Sequence, residues 1–169
     1  MIDKVDKCRV YTRPAKTRKK DPTRIVVHRI GPALNGVTVR AAEDVAAFYG
    51  QNPQYTGGKP AYHAVVTADG EVEISERDTK ICMHAVGYNG ESLGIAVVGD
   101  FRKAKIRPHQ YAALLQWCVD KCRAYGIQPG RVSGHTDLPG ATNTPGKICP
   151  GKGIDIQQLR EDILDELRA

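Results

Sequence analysis

Residues 23–30 read "TRIVVHRI". Ile25, Val26 and Val27 follow one another without the polar alternation of a strand that has one wet face. A short β-branched run of this kind predicts a strand buried on both faces, the position of a central strand covered by helices on either side. His28 stands near its end, where a sheet exposes side chains to loops.

Working outward, "GPALNG" (31–36) reads as a turn, and Thr38 as the N-cap of a helix through "VRAAEDVAAFYG". Val39, Ala42, Val45, Ala46 and Tyr49 share one face of that helix before Gly50 stops it. After the loop "QNPQYTGGKP", the stretch "AYHAVVTADGEVEIS" (61–75) predicts a hairpin about Asp69-Gly70. Strict alternation places Tyr62, Ala64 and Val66 on one face of its first strand, and His63, Val65 and Thr67 on the other. "MHAVGYNG" is irregular, "SLGIAVVGDF" a strand, and a long helix begins near Pro108. "RVSGH" returns to the sheet, and "DIQQLREDILDELRA" is a helix with Asp155 as N-cap and Gln158 completing a capping-box pattern. The order strand, helix, hairpin, strand, helix, strand, helix predicts an α/β fold, a single mixed β-sheet flanked by helices.

The chain has 169 residues, of which 41% are hydrophobic and 26% charged, which suits one domain with a real core. No apolar run is long enough to span a bilayer. "MIDKVDKCRVYTRPAKTRKK" has charge without an apolar h-region, so no secretory signal is expected. Five cysteines, in a compartment taken to be reducing, argue against a disulfide framework. Cys118 and Cys122 lie at helical spacing with Leu114 and Leu115 and are expected in the core. The net charge of +6 resides in residues 1–24, which hold nine Lys/Arg and three Asp, while the remainder balances. Residues 1–22 are therefore expected to be a basic arm outside a domain of residues 23–169. Such an arm is a solvated tail, an attractor for an anionic surface, or a nucleic-acid contact. The last is the weakest reading, because the arm has no aromatic stacking platform.

The loop "VSGHTDLPGATNTPGKICPG" (132–151) is rich in Gly, Pro, Thr and Asn, yet carries His135, Lys147 and Cys149. Two imidazoles and a thiolate, His28, His135 and Cys149, are a donor set suited to zinc, and three protein ligands leave a fourth position for water. The alternative is that each histidine is an ordinary buried or surface residue. Lys147 lies two residues before Cys149; in an extended segment both point the same way, putting an ammonium where an oxyanion would form.

Taken in order, "IVVHRI", "AYHAVVTADGEV", "HAVGYNGESLGIAVVGDF" and "SGHTDLPG…KICPG" resemble the zinc-dependent N-acetylmuramoyl-L-alanine amidase family. That family shares its fold with small phage amidases and peptidoglycan recognition proteins. The resemblance spans residues 23–168. It implies one zinc ion on His28, His135 and Cys149, catalytic roles for Tyr62 and Lys147, and a place for His84 in the substrate cleft. His63 and His109 inherit no role. The implied activity is hydrolysis of the amide between N-acetylmuramic acid and L-alanine, by a monomeric phage or prophage endolysin. Such a protein waits in the host bacterial cytoplasm until a membrane pore opens. Its partner is peptidoglycan, with anionic wall polymers added through the arm, and neither nucleic acid nor membrane is expected. Two rivals stay open: a recognition module that holds muropeptide without cutting it, and a metal-free Cys–His peptidase with Cys149 as nucleophile.

Overall fold

A computed structural model describes residues 1–169. Its centre is β2 (Arg24–Ile30), which pairs in parallel with β7 (Ser92–Val98) and with β8 (Val132–Gly134). On the other side of β7 lies β5 (Ala64–Val66), antiparallel to β6 (Val72–Ile74). A two-residue strand β1 (Ile2–Asp3) closes that edge, giving the mixed order β1-β6-β5-β7-β2-β8. A separate small ribbon joins β3 (Ala33–Leu34) to β4 (Val37–Thr38).

The alternation of β2 and β7 divides the interior. Ile25, Val27, Leu93, Ile95 and Val97 face α2 (Pro108–Tyr125) and α3 (Ile156–Arg168), meeting Leu114, Trp117, Leu159 and Ile163 in the main core. Cys118 and Cys122 belong to this core, and all five cysteines are free thiols. The opposite face carries Ile30, Ala96 and Val98 against α1 (Ala42–Gln51) through Val45 and Ala46. Pro108 opens α2 and Gly126, at φ 65°, ends it; the buried Gln110 amide donates to the carbonyls of Thr67 and Val98. No helix is long and apolar enough to cross a membrane.

Three local expectations are corrected. Thr38 is in β4, and α1 starts at Ala42: the Asp44 carboxylate accepts from the N–H groups of Arg40 and Ala41, and buried Glu73 accepts from that of Ala42 at 2.6 Å. Two carboxylates at the positive end of the helix do the work foreseen for a threonine. The hairpin forms, but its first strand begins only at Ala64. The carbonyl of His63 accepts from both Ser75 and Glu76, a bulge-like irregularity that breaks the alternation. Tyr62 is consequently turned away from Ala64 and Val66 and packs with Val65, on the face that carries His28.

The third correction concerns residues 1–22, which are not an arm. β1 pairs with β6, and Val5 and Cys8 are 2% and 1% exposed. Lys4 reaches Glu43 at 3.2 Å and Glu73 at 3.7 Å. The Arg18 guanidinium donates to the carbonyls of Asp78, Gly90, Lys80 and Ser92. Two of the basic side chains that looked free in the sequence, Lys4 and Arg18, are anchored by these contacts.

Candidate metal centre

His28 comes from the C-terminal half of β2, His135 from the 3-10 turn His135–Asp137 that follows β8, and Cys149 from the loop beyond. Parallel pairing of β2 with β8 delivers the first two to the same end of the sheet. Thr136 secures the third: its hydroxyl donates to the Cys149 carbonyl at 2.9 Å and accepts from the Cys149 N–H at 3.1 Å, and its own N–H donates to the same carbonyl. The intervening loop is held by Ala141, 1% exposed, whose carbonyl accepts from the Val86 N–H and from Nε2 of His135. A loop without a hydrophobic stripe is thus fixed by hydrogen bonds at its two ends and its middle.

All three side chains are buried, and one donor atom from each lies within 4.8 Å of the others. Sγ of Cys149 is 3.8 Å from Nδ1 of His28 and accepts from the Arg29 N–H at 3.4 Å. Because Nε2 of His135 donates to a carbonyl, its Nδ1 carries a lone pair, and that buried atom has no hydrogen-bond partner. An orphaned imidazole nitrogen beside a second imidazole and a sulfur fits a tetrahedral zinc ion.

A hydrogen-bond chain orients His28. Ser92 Oγ donates to the Tyr88 carbonyl at 2.7 Å, so it accepts from Nε2 of His84 at 3.2 Å. Nδ1 of His84 is then an acceptor, and Nε2 of His28 donates to it at 2.9 Å. The carbonyl end fixes the direction of every proton and leaves Nδ1 of His28 as a lone pair facing Cys149. Room for this stack comes from Gly94 of β7, where a Cβ would lie 2.6 Å from Cγ of His84.

Burial, reinforced by the neighbouring histidines, holds His28 and His84 well below the ordinary imidazole value, so both are neutral at pH 7. Burial pushes the Cys149 thiol up, opposed by the Arg29 N–H and by the charge of Lys147. The Tyr62 phenol is raised further, by burial and by Tyr49, and stays a proton donor.

A cleft of about 540 Å³ opens over this cluster, bordered by Tyr62, His84, His135 and Lys147. The Tyr62 ring is 5.0 Å from that of His28, and its hydroxyl is 3.4 Å from that of Tyr49. All six residues singled out in the sequence therefore meet in one place. His84 is the one whose surroundings differ from expectation: both ring nitrogens are engaged within the protein, and the residue borders the cleft while only 7% exposed. Ser92 and Gly94 also shape this site; both lie within the stretch "HAVGYNGESLGIAVVGDF", but neither was singled out in the sequence. His63 and His109 are hydrogen-bonded to backbone groups.

The family model described as N-acetylmuramoyl-L-alanine amidase matches residues 18–152. No curated protein matches the sequence closely enough to count as a relative. Among solved structures, the chain is similar to N-acetylmuramoyl-L-alanine amidase LysC from Clostridium intestinale URNW, with 20% identity, a TM-score of 0.74, and coverage of 91% of this chain and 92% of that one. It is similar to the Ph2119 endolysin of Thermus scotoductus MAT2119 bacteriophage Ph2119, at 22% identity and TM-score 0.74, over 95% of this chain and 97% of that one. It is also similar to peptidoglycan recognition protein-LE in complex with tracheal cytotoxin, a monomeric diaminopimelic acid-type peptidoglycan, at 15% identity and TM-score 0.73, over 95% and 92%. At these identities the structural likeness establishes the fold.

Proposed function

This chain belongs to the N-acetylmuramoyl-L-alanine amidase family, and we propose that it hydrolyses the amide between N-acetylmuramic acid and L-alanine with one zinc ion on His28, His135 and Cys149. The observation that carries the reading is the orphaned Nδ1 of His135, buried beside Nδ1 of His28 and Sγ of Cys149 under an open cleft. Zinc, when bound, supplies Lewis-acid activation of water and of the scissile carbonyl.

The protein's own groups do the rest. Tyr62, protonated and standing against His28, donates a hydrogen bond that orients the reacting carbonyl or water. Lys147, exposed at the rim, brings an ammonium to the oxygen that gains charge as the carbonyl becomes tetrahedral. Its charge is felt at His28, His135 and Cys149 alike, which supports a position over the cluster. His84 and Ser92 keep His28 in the tautomer that ligation needs.

The same reading makes the protein a monomeric phage or prophage endolysin, held in the host bacterial cytoplasm until a membrane pore admits it to the wall. The test is digestion of purified sacculi with and without chelator, followed by mass spectrometry of the new ends. New L-alanine amino termini, abolished by chelator, are expected. New reducing sugar ends, or cleavage indifferent to chelator, would reject the proposal; binding without cleavage would favour a recognition module.

A further inference from the structure

The segment before residue 18 lies outside the family match, yet it forms part of the cleft wall. Arg13 borders the cleft beside Lys59, which comes from the loop preceding Tyr62. The two strands of chain are fastened together: the Arg13 N–H donates to the Gly58 carbonyl at 2.9 Å, and the Thr12 hydroxyl approaches the same oxygen. Gly58 has φ 76°, and a Cβ there would stand 2.1 Å from Oγ1 of Thr12, so neither the backbone conformation nor the approach tolerates a side chain.

The charge of this wall is uncompensated. Arg13, Lys59 and Lys147 all line the cleft, no Asp or Glu does, and none of the three forms an ion pair. Thr56, buried in the same wall, has a hydroxyl with no hydrogen-bond partner. Lys4, Arg24 and Lys121, by contrast, each meet a carboxylate. Like charges gathered without a counter-ion focus the field of a cleft onto an anionic ligand. A guanidinium is also the group best shaped to hold a carboxylate.

We propose that Arg13 and Lys59 form a carboxylate-binding wall that seats a free carboxylate of the substrate's stem peptide, so that the N-terminal segment is a specificity element of the cleft. The inference rests on the amidase reading above. It assigns the basic segment a contact of short range, distinct from attraction to wall polymers.

The test uses the full chain and two synthetic muramoyl dipeptides that differ only in bearing a carboxylate or a carboxamide at the α-position of their D-glutamyl residue. The wild type should prefer the carboxylate form. Arg13→Ala and Lys59→Ala should each raise its KM about tenfold, the scale of one lost charge-assisted hydrogen bond, with kcat within about twofold and the carboxamide unaffected. Arg13→Lys should recover part of the loss. Isothermal titration of the same dipeptides reads the wall without turnover. Carboxylate preference in binding but no cleavage would reject the amidase and uphold the wall. Cleavage with equal KM for both dipeptides, or a preference unchanged in both alanine variants, would overturn the wall and leave the amidase intact.

Discussion

Nε2 of His28 lies 2.9 Å from Nδ1 of His84, and this contact determines which nitrogen of His28 faces Cys149. The direction is set two residues away, at the Tyr88 carbonyl that accepts from Ser92. Partners of this kind, behind a ligating histidine, typically govern 10–100-fold in metal affinity. His84→Ala should therefore weaken zinc binding by about that factor, read by competition with a chromophoric chelator. Ser92→Ala should act in the same direction more weakly. Wild-type zinc affinity in the His84 variant would show that burial alone orients His28.

Tyr62 and Lys147 differ from the ligands in what their loss should do. Tyr62→Phe removes the hydroxyl and keeps the ring that packs on His28. Lys147→Ala removes an exposed charge at the rim. Each should retain one zinc per chain while losing about 10²–10³ in kcat, the usual cost of one oxyanion donor. Cys149→Ser is the contrast: a neutral hydroxyl is a poor zinc ligand, so metal and activity should fall together. Metal analysis beside turnover on a soluble muropeptide separates the cases. Full turnover in Lys147→Ala would remove that residue from the mechanism.

What the sequence disclosed, and what it hid, follows from the range of the forces involved. The apolar runs of β2 and β7 and the periodicity of α2 and α3 are local signals, and those elements formed where expected. His28, His135 and Cys149 were legible because their residue types constitute a donor set. The facing of Tyr62 was hidden, since the irregularity at His63 depends on hydrogen bonds from Ser75 and Glu76 across the hairpin. The start of α1 was misread because Glu73, thirty-one residues away, supplies one of its caps. The setting of His84 depends on Ser92 and Gly94 meeting it from a neighbouring strand. Residues 1–22 gave no warning of burial, being mostly polar and finding their partners far along the chain.

His63 makes acid stability testable. Its buried ring accepts from the Gly94 N–H and is hydrogen-bonded to the Lys80 carbonyl. Burial is the main cause that lowers its pKa from 6.5 to about 4. Between those values the unfolded chain binds a proton that the folded one refuses. Stability should thus be complete above pH 6.5 and decline as pH falls, by about 1.4 kcal/mol per pH unit from this residue. His84 is lowered in the same direction and adds to the slope. Urea unfolding of metal-free protein at pH 7.5, 6 and 5 measures the trend, and His63→Gln should flatten it in part. Stability that is level across the window would contradict the assignment.

Deletion of residues 1–21 distinguishes a tail from a structural segment. A tail would leave the melting temperature alone and alter only salt-sensitive binding to walls. The structure requires more. Deletion strips β1 from β6 and removes the buried Val5 and Cys8, leaving α1 and the sheet edge uncovered. It also leaves Glu73, itself 6% exposed, without Lys4. Burial of one such apolar side chain contributes about 1.5–3 kcal/mol, and a carboxylate left without its cation adds to the loss. Arg18 goes too, freeing four carbonyls that it gathers beneath His63. A loss of several kcal/mol lowers the melting temperature of a domain this size by roughly 10 °C or more. Cleavage of a small soluble muropeptide should fall with it, because the cleft loses the wall built on Thr12 and Arg13. Salt must not restore either quantity, since apolar burial and backbone pairing are not screened. Calorimetry and turnover for both forms, at low salt and near ~1 M, supply the comparison. Equal melting temperatures and equal soluble turnover would return the segment to the status of a solvated arm.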